Sequence, residues 1–456
     1  MKLAHKLRDY QRPHAAALYQ LLQRVKRVLI ADDCGLGKTY TALAIAAEMD
    51  IVPFVIGPAG ARTAWEQASE IMGMPLEFVS YNKLLYVKPR EDGQEETNLV
   101  DTEWITEKPW GSGSFMSWKV QHALRIFDEV HRCGGQTSNN SKALISAIRD
   151  GSYIMGLSAT AADDPRQLKA LGYMLGLHAL NDKRTGFRSW MLRHGCVPGL
   201  WGGMDLDPDP EVMEKVFSRI NAHIFPARGR RLRKQDIPGF PKTQIEVKLI
   251  EDPTGRAVKL AAELEAKYER LRAKAREDDE NGPSKMEEIH RIQQELELLA
   301  IPSWLEMMDQ YQSEAKVVIF VNYRETLTRL VEAAGKKFQV GYAQGGQNRA
   351  EREAMVEAFQ ANALDAFIAN IACMGESGSL HDPTGKIQRV TGIMPCNSGR
   401  QLVQVFGRVN RDGGAFSTQF LCYFKNTVQE KVAERALQKK VNIHNLNDAS
   451  LGYAEN

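Results

Sequence analysis

The strongest constraint on this chain is a short loop. Gly35-Leu36-Gly37-Lys38-Thr39 follows the β-rich run Val28-Leu29-Ile30 and leads into the apolar stretch Ala42 to Ala47. A strand, a glycine loop and a helix in that order form a phosphate cradle. Glycines let backbone N–H groups close around phosphate oxygens, and the helix N-terminus adds positive potential. Lys38 can reach β- and γ-phosphates, and the Thr39 hydroxyl can ligate Mg2+. The general pattern has glycine where this chain has Asp32. An ordinary glycine turn before a helix is the bland alternative, and the flanking strand and helix weigh against it.

Downstream, Asp128-Glu129-Val130-His131 closes the run Leu124-Arg125-Ile126-Phe127, which reads as a strand. Two adjacent carboxylates there can divide labour. Asp128 would hold the Mg2+ shell, and Glu129 would orient or deprotonate an attacking water. An acidic pair after a strand is usually just solvated; its joint occurrence with the phosphate loop makes this one specific.

The remaining sequence reads as α/β. With 456 residues and about 150 per domain, two large domains or three smaller ones are expected. Strand and helix signals alternate from the start to roughly residue 240 and again from about 312, which predicts mostly parallel sheets. Expected strands are Val28–Ile30, Phe54–Ile56, Ile126–Phe127, Tyr153–Met155, Val317–Val321, Ala366–Ala369 and Phe420–Tyr423. Between the two stretches, Leu260, Leu264, Tyr268 and Leu271 recur at helical spacing, as do Ile289, Ile292, Leu296 and Leu299. A polar break, Asp278 to Pro283, separates them. The patterning predicts a helical hairpin packed on one lobe, with a nucleic-acid-touching arm as the alternative. Glu91 to Glu96 and Gly111 to Ser114 read as solvated surface loops.

Charge narrows the partners. The 59 basic and 57 acidic side chains leave a net +2, which argues against a DNA-coating protein but permits a single nucleic-acid cleft. Hydrophobic content of 43% with 25% charge is globular, not disordered. No apolar run approaches the roughly 20 residues that span a bilayer. The polar start, Met1-Lys2-Leu3-Ala4-His5-Lys6, does not read as a signal peptide. The six cysteines form no CxxC pair, so neither disulfides nor zinc are expected. An intracellular, soluble, cytoplasmic protein is the expectation.

With its two chemical motifs in this order, the chain resembles the superfamily-two helicases and translocases. Leu7-Arg8-Asp9-Tyr10-Gln11 looks like their Q-type motif, in which the glutamine, here Gln11, reads adenine. Ala31 to Thr39 is similar to the phosphate loop of the Swi/Snf-type branch, where an acidic residue replaces the first glycine. Gly57-Pro58-Ala59 with Trp65, and Val79-Ser80-Tyr81, resemble strand-contacting motifs. Asp128 to Arg132 with Ser141-Lys142 is similar to the DEAH box, and Gly156 to Thr160 resembles the motif coupling hydrolysis to lobe movement. Arg231 to Lys234, then Pro241-Lys242, looks like the basic segment leading out of lobe one. Further on, Lys316 to Tyr323 is similar to the first strand of lobe two, and Gly375 to Leu380 looks like a backbone-contacting motif. Gln404 to Arg411 resembles the arginine-finger motif, and Asn426 to Val432 the closing helix of Swi/Snf-type motors.

The resemblance runs from Leu7 to about Lys440 and implies two tandem RecA-like lobes with parallel sheets and an inter-lobe helical hairpin. The implied layout is an ATP-binding lobe over 1–245, a helical region over 246–311 and an arginine-finger lobe over 312–456. It implies ATP and Mg2+ as cofactors, held by Gln11, Gly35, Gly37, Lys38 and Thr39, with Thr39 and Asp128 on the metal. Catalytic roles fall to Lys38, Asp128, Glu129, Gln404, Arg408 and Arg411. Nucleic-acid contacts fall to Pro58, Ala59, Ser80, Gly375 and Gly378. Trp65, Tyr81 and Trp118 could stack on bases, although burial in the core is the expected fate of such aromatics. The implied activity is an ATP-dependent DNA helicase or translocase on duplex, forked or branched DNA, in fork remodelling or branch migration. An RNA helicase and an ATP-switched DNA clamp without strand separation are the alternatives. Compact relatives imply a phage or bacterial setting, DNA as partner rather than RNA or membrane, a monomer, and replication or recombination proteins nearby.

Overall fold

The structure is a computed structural model that describes residues 1–87, 99–111, 113–162, 164–199, 203–207, 209–274, 283–374, 378–396 and 398–447. The acidic stretch Glu91 to Glu96 lies outside them, as does most of the Asp278 to Pro283 break. Two α/β units emerge, one of Met1–Ile237 with the segment from Val441 onward, the other Pro238–Lys440, and each has its own six-stranded sheet. The tandem parallel-sheet architecture expected from the sequence is therefore present.

In the first unit the strands are β1 (Arg27–Ile30), β2 (Phe54–Gly57), β3 (Glu77–Ser80), β4 (Ile105–Trp110), β5 (Gly113–Trp118), β6 (Leu124–Asp128), β7 (Tyr153–Leu157), β8 (Cys196–Pro198), β9 (Met204–Leu206) and β10 (Gly229–Arg230). The main sheet has the order β10-β1-β7-β6-β2-β3, with every neighbouring pair parallel. Parallel neighbours need crossovers rather than tight turns; α2 (Lys38–Glu48) lies between β1 and β2 and α3 (Arg62–Met72) between β2 and β3, while α1 (Gln11–Val25) precedes β1. All residues of α2 from Thr41 to Ala47 are buried, which explains why that helix is apolar all round instead of striped. Leu18, Leu43, Ile45 and Trp65 pack on one side of the sheet, and Tyr81, Leu144, Trp190 and Phe217 belong to the other core.

One loop expectation needs correcting. Gly113 and Ser114 already belong to β5 of the antiparallel β4–β5 hairpin, and Ser112 lies outside the described residues. Ser114 Oγ and Lys142 Nζ both donate to the buried carboxylate of Glu107, the lysine at 2.6 Å. Buried charge needs such pairing, so Ser114 is held by Glu107, while Gly111 and Gly113 are exposed.

The second unit contains β11 (Thr243–Ile250), β12 (Ala315–Val321), β13 (Val340–Ala343), β14 (Ala366–Asn370), β15 (Gln388–Ile393) and β16 (Ser417–Phe424). Their order is β11-β16-β15-β12-β14-β13, again with all pairs parallel. Strand β11 pairs with β16 from Thr243 to Ile250. The unit boundary accordingly falls before Pro238, not after residue 245, because this edge strand belongs wholly to the second sheet. The helices Arg256–Lys274 and Pro283–Leu298 are also part of the second unit rather than a separate region. Leu260, Leu264, Ile292 and Leu296 join its core with Trp304 and Ile319. Glu297 fixes the attachment: its buried carboxylate accepts the backbone N–H groups of Asn322 (3.0 Å) and Tyr323 (3.0 Å) and the Asn322 side-chain amide (2.8 Å).

Asp382 does similar work in the loop before β15. Its fully buried carboxylate accepts backbone N–H groups from Thr384 (3.0 Å), Lys386 (2.8 Å) and Ile387 (2.7 Å), together with the Asn362 amide (3.2 Å). Burial alone would raise its pKa; the hydrogen bonds overcome that and hold it well below the usual carboxylate range. A depressed folded pKa gives stability that is present above the unfolded value near about 4 and lost as pH falls through the folded one. Asp382→Asn is therefore expected to cost about 2 kcal/mol near neutral pH. Thermal unfolding should show the gap to the unsubstituted chain narrowing below about pH 4.

Candidate active site

In a parallel sheet, ligands gather at the carboxyl ends of the strands. The ends of β1, β2, β3, β6 and β7 carry the phosphate loop, Pro58, Ser80, Asp128 and Ser158 respectively. Gly35 and Gly37 have φ of 92° and 74°, a region that side chains other than glycine avoid. A Cβ on Gly37 would also lie 2.5 Å from Gln11 Nε2. Gly37 precedes α2 without any side-chain cap, so the first-turn N–H groups are left for a ligand.

Gln11 is buried against the loop. Its Nε2 donates to the carbonyls of Leu36 (2.9 Å) and Gly37 (3.2 Å), and its Oε1 accepts the Arg8 N–H (3.0 Å). Lys38 Nζ donates to the Asp32 carbonyl at 2.8 Å. The Asp32 side chain is fully buried, with Oδ1 accepting the Leu232 N–H at 2.8 Å and lying 2.9 Å from His14 Nε2. The residue that replaces glycine in the general pattern is thus engaged with neighbouring segments.

Asp128 is half-buried at the end of β6. Its Oδ2 accepts the Trp65 indole N–H at 2.8 Å and its Oδ1 the Glu129 backbone N–H at 3.0 Å. The Tyr81 hydroxyl donates to its backbone carbonyl at 3.0 Å. Desolvation first, then the neighbouring Glu129 charge, pushes the Asp128 carboxyl up to about 6, while Trp65 and Lys38 pull it back. Glu129 has a left-handed backbone, φ 50°, a strained conformation of the kind found at functional sites. Ser158 Oγ donates to Glu129 Oε2 at 3.4 Å, accepts the Thr160 N–H at 3.1 Å and sits 3.0 Å from His131 Nδ1. His131 Nδ1 is itself 3.2 Å from Glu129 Oε2.

These features fit a phosphate chain and Mg2+. The loop offers backbone donors and Lys38, and Asp128 offers a hard oxygen beside them. Mg2+ commonly takes one or two carboxylates plus phosphates and waters, which suits Asp128 and Thr39 better than a closed cage would. Among the described residues no group of three His, Cys, Asp or Glu side chains forms such a cage.

The structure thus gathers Gln11, Gly35, Gly37, Lys38, Thr39, Asp128 and Glu129 at one sheet edge. Pro58 is buried and Ala59 exposed just beyond β2. Ser80 Oγ accepts the Lys83 N–H at 3.2 Å and caps a short helical turn. Trp65 and Tyr81 are core residues, and half-buried Trp118 stacks on Arg125 with the guanidinium 4.3 Å from its ring. In the second unit, Gln404 is buried. Arg408 is buried as well, its Nη1 donating to the Gly378 carbonyl at 2.9 Å while its own carbonyl accepts the Leu380 N–H at 2.8 Å. Arg411 is only half-buried. Gly378 has φ 88°, and Gly375 lies outside the described residues. Sequence reasoning missed what Trp65 and Tyr81 do for Asp128. The aromatic residue types were visible, but nothing local shows that an indole 63 positions away reaches a carboxylate.

Comparison with known proteins shows what the chain resembles. Residues 299–413 match the model described as the helicase conserved C-terminal domain. These matched residues include the helix Ile301–Tyr311, β12 to β15, the helix Gly399–Phe406 and, beyond it, Arg408 and Arg411. A protein of Acanthamoeba polyphaga mimivirus described as "Putative ATP-dependent RNA helicase" is 27% identical over 470 residues, covering 98% of this chain and 84% of its own length. Both resemblances are to helicases, the first over residues 299–413 and the second over most of the chain. A solved structure, the Sulfolobus solfataricus SWI2/SNF2 ATPase core in complex with dsDNA, is 15% identical with a TM-score of 0.37, covering 97% of this chain and 94% of that one. Among the described residues no helix is long and apolar enough to cross a membrane.

The Trp65 contact gives a pH prediction. Removing its hydrogen bond in Trp65→Phe takes away a contact that lowers the Asp128 pKa. The acid limb of Mg2+-dependent nucleotide hydrolysis should then move to higher pH, because the carboxylate must be ionised to hold the metal. A pH profile of hydrolysis with an unmoved acid limb would contradict the assignment.

Proposed function

We propose that the chain is an ATP-dependent motor on DNA, hydrolysing ATP in response to duplex, forked or branched strands. The observation that carries this reading is the convergence at one sheet edge of an uncapped helix N-terminus, Lys38 and the Asp128–Glu129 pair. In this reading the loop N–H groups and Lys38 hold the β- and γ-phosphates. Mg2+, when bound, supplies charge neutralisation on the transferring phosphoryl group. Thr39 and Asp128 would hold it. Glu129 orients the attacking water and receives its proton, the water oxygen joins the γ-phosphorus, and the bond to ADP breaks. Ser158 and His131 keep the Glu129 carboxylate in place for that step. The resemblance implies Arg408 and Arg411 as the groups that stabilise developing charge; Arg408 Nη1 donates to the Gly378 carbonyl and Arg411 is half-buried. A permanently charged, rigid donor fork suits that task.

The choice of DNA rests on the Swi/Snf-type resemblance of the phosphate loop and closing helix. RNA is the second reading, favoured by the mimivirus relative, which is described as an RNA helicase. Steady-state hydrolysis with single-stranded DNA, duplex, four-way junction and RNA separates them. Stimulation by duplex or branched DNA is expected; stimulation by RNA alone would overturn the choice.

Variants test the site assignment in the same assay. Lys38→Ala and Glu129→Gln are each expected to lower nucleic-acid-stimulated turnover by at least about a hundredfold, as loss of charge stabilisation or of the base commonly does. Arg411→Ala should spare ATP binding, read by a fluorescent nucleotide analogue, and stop turnover. Near-normal turnover in all of them would contradict the site as drawn.

A further inference from the structure

Two acidic residues sit at the entry of the phosphate loop, and neither is explained by phosphate binding. Asp32 and Asp33 turn instead to the segment Arg230 to Lys234. The Ala31 N–H donates to the Arg230 carbonyl (2.9 Å) and the Asp33 N–H to the Leu232 carbonyl (3.0 Å), extending the β1–β10 pairing past its last residue. Leu232 returns its N–H to Asp32 Oδ1 (2.8 Å). Asp33 accepts Arg231 Nη2 (2.8 Å) on one oxygen and the Lys234 N–H (3.1 Å) on the other. Arg231 is 11% exposed in its side chain and Asp33 25%, so the pair is shielded from most solvent screening. Among the described residues, the buried Nε and Nη1 of Arg231 find no hydrogen-bond partner, so its link to Asp33 sets where the guanidinium lies. Three residues beyond Lys234, after Ile237, the chain passes from the first unit into the second.

We propose that Arg231 is a positioning residue of the nucleotide site: through Asp33 it holds the entry limb of the phosphate loop to the segment that leads into the second unit. The inference rests on the reading of this loop as an ATP site and deepens it. Gly35 and Gly37 lie two and four positions after Asp33, so an entry limb that drifts takes the cradle with it. Conversely, a loop that tightens around phosphates pulls on Arg230 to Lys234 through the same hydrogen bonds. Acidic residues at positions 32 and 33 supply what glycine cannot, side-chain acceptors for the neighbouring segment.

The test uses the full chain with Arg231→Ala, Arg231→Lys, Asp33→Arg and the charge-swapped Asp33→Arg/Arg231→Asp. Readouts are KM for ATP, kcat with and without nucleic acid, and the rate of proteolysis at Arg230 to Lys234 with and without a non-hydrolysable ATP analogue. Arg231→Ala is expected to raise KM about tenfold, within the usual range of coupling between linked sites, with basal kcat and unfolding temperature little changed. Nucleotide-dependent protection of the segment should disappear in it. Arg231→Lys should recover part of the effect, and the charge swap should recover more than either of its single substitutions. Unchanged KM and protection in Arg231→Ala would overturn the proposal, as would a charge swap no better than its singles. Should the unsubstituted chain hydrolyse ATP without any response to nucleic acid, the motor reading fails, while KM and protection still decide this one.

Discussion

The working edge of the first unit depends on one carboxylate held in one direction. Asp128 sits where desolvation and the Glu129 charge both favour its neutral form, yet metal binding needs it ionised. Trp65 and the Glu129 N–H occupy one oxygen each and leave the remaining lone pairs for a cation. Tyr81 pins the carbonyl of the same residue. These contacts require α3 to carry Trp65 into the core beneath β2, where the ring is 1% exposed. They also accompany the left-handed backbone of Glu129, which costs on the order of 1–2 kcal/mol. Burial of the surrounding apolar side chains, at about 1.5–3 kcal/mol each, offsets it.

How much of this was legible depends on how local each signal was. Strands with strong apolar runs, β1, β2, β6, β7, β12, β14 and β16, stood out in the sequence because they are buried along their length. Missed strands had weaker texts. β10 is two residues long, and β11 is polar at Thr243, Gln244, Glu246 and Lys248, with Ile250 alone buried. An edge strand needs no continuous apolar run, since one side of it has no neighbour. That is why the unit boundary was read too late. The phosphate loop and the acidic pair were legible because each is contiguous. The contacts that orient them come from residues 47 to 200 positions away and leave no local trace: Tyr81 and Trp65 on Asp128, Leu232 on Asp32.

The second unit shows the same division. Helical periodicity around Leu264 and Leu296 predicted the two helices, and their burial with Trp304 assigns them to this unit's core. No pattern in the sequence could announce that Glu297 would hold the backbone after β12, or that Asp382 would gather the N–H groups of a loop. Arg408 and Arg411 looked equivalent as a motif. Packing separates them, because the Gly378 carbonyl takes the first and leaves the second more exposed. Side-chain environment, which sequence spacing does not encode, makes that difference.

We propose that Asp128 is held to receive a divalent cation bound with nucleotide. Calorimetric titration of ATP with and without Mg2+, on the unsubstituted chain and on Asp128→Asn, tests it most directly. The account predicts that Mg2+ strengthens binding to the unsubstituted chain and that Asp128→Asn loses this dependence while still binding metal-free nucleotide. An unaltered Mg2+ dependence in Asp128→Asn would contradict it.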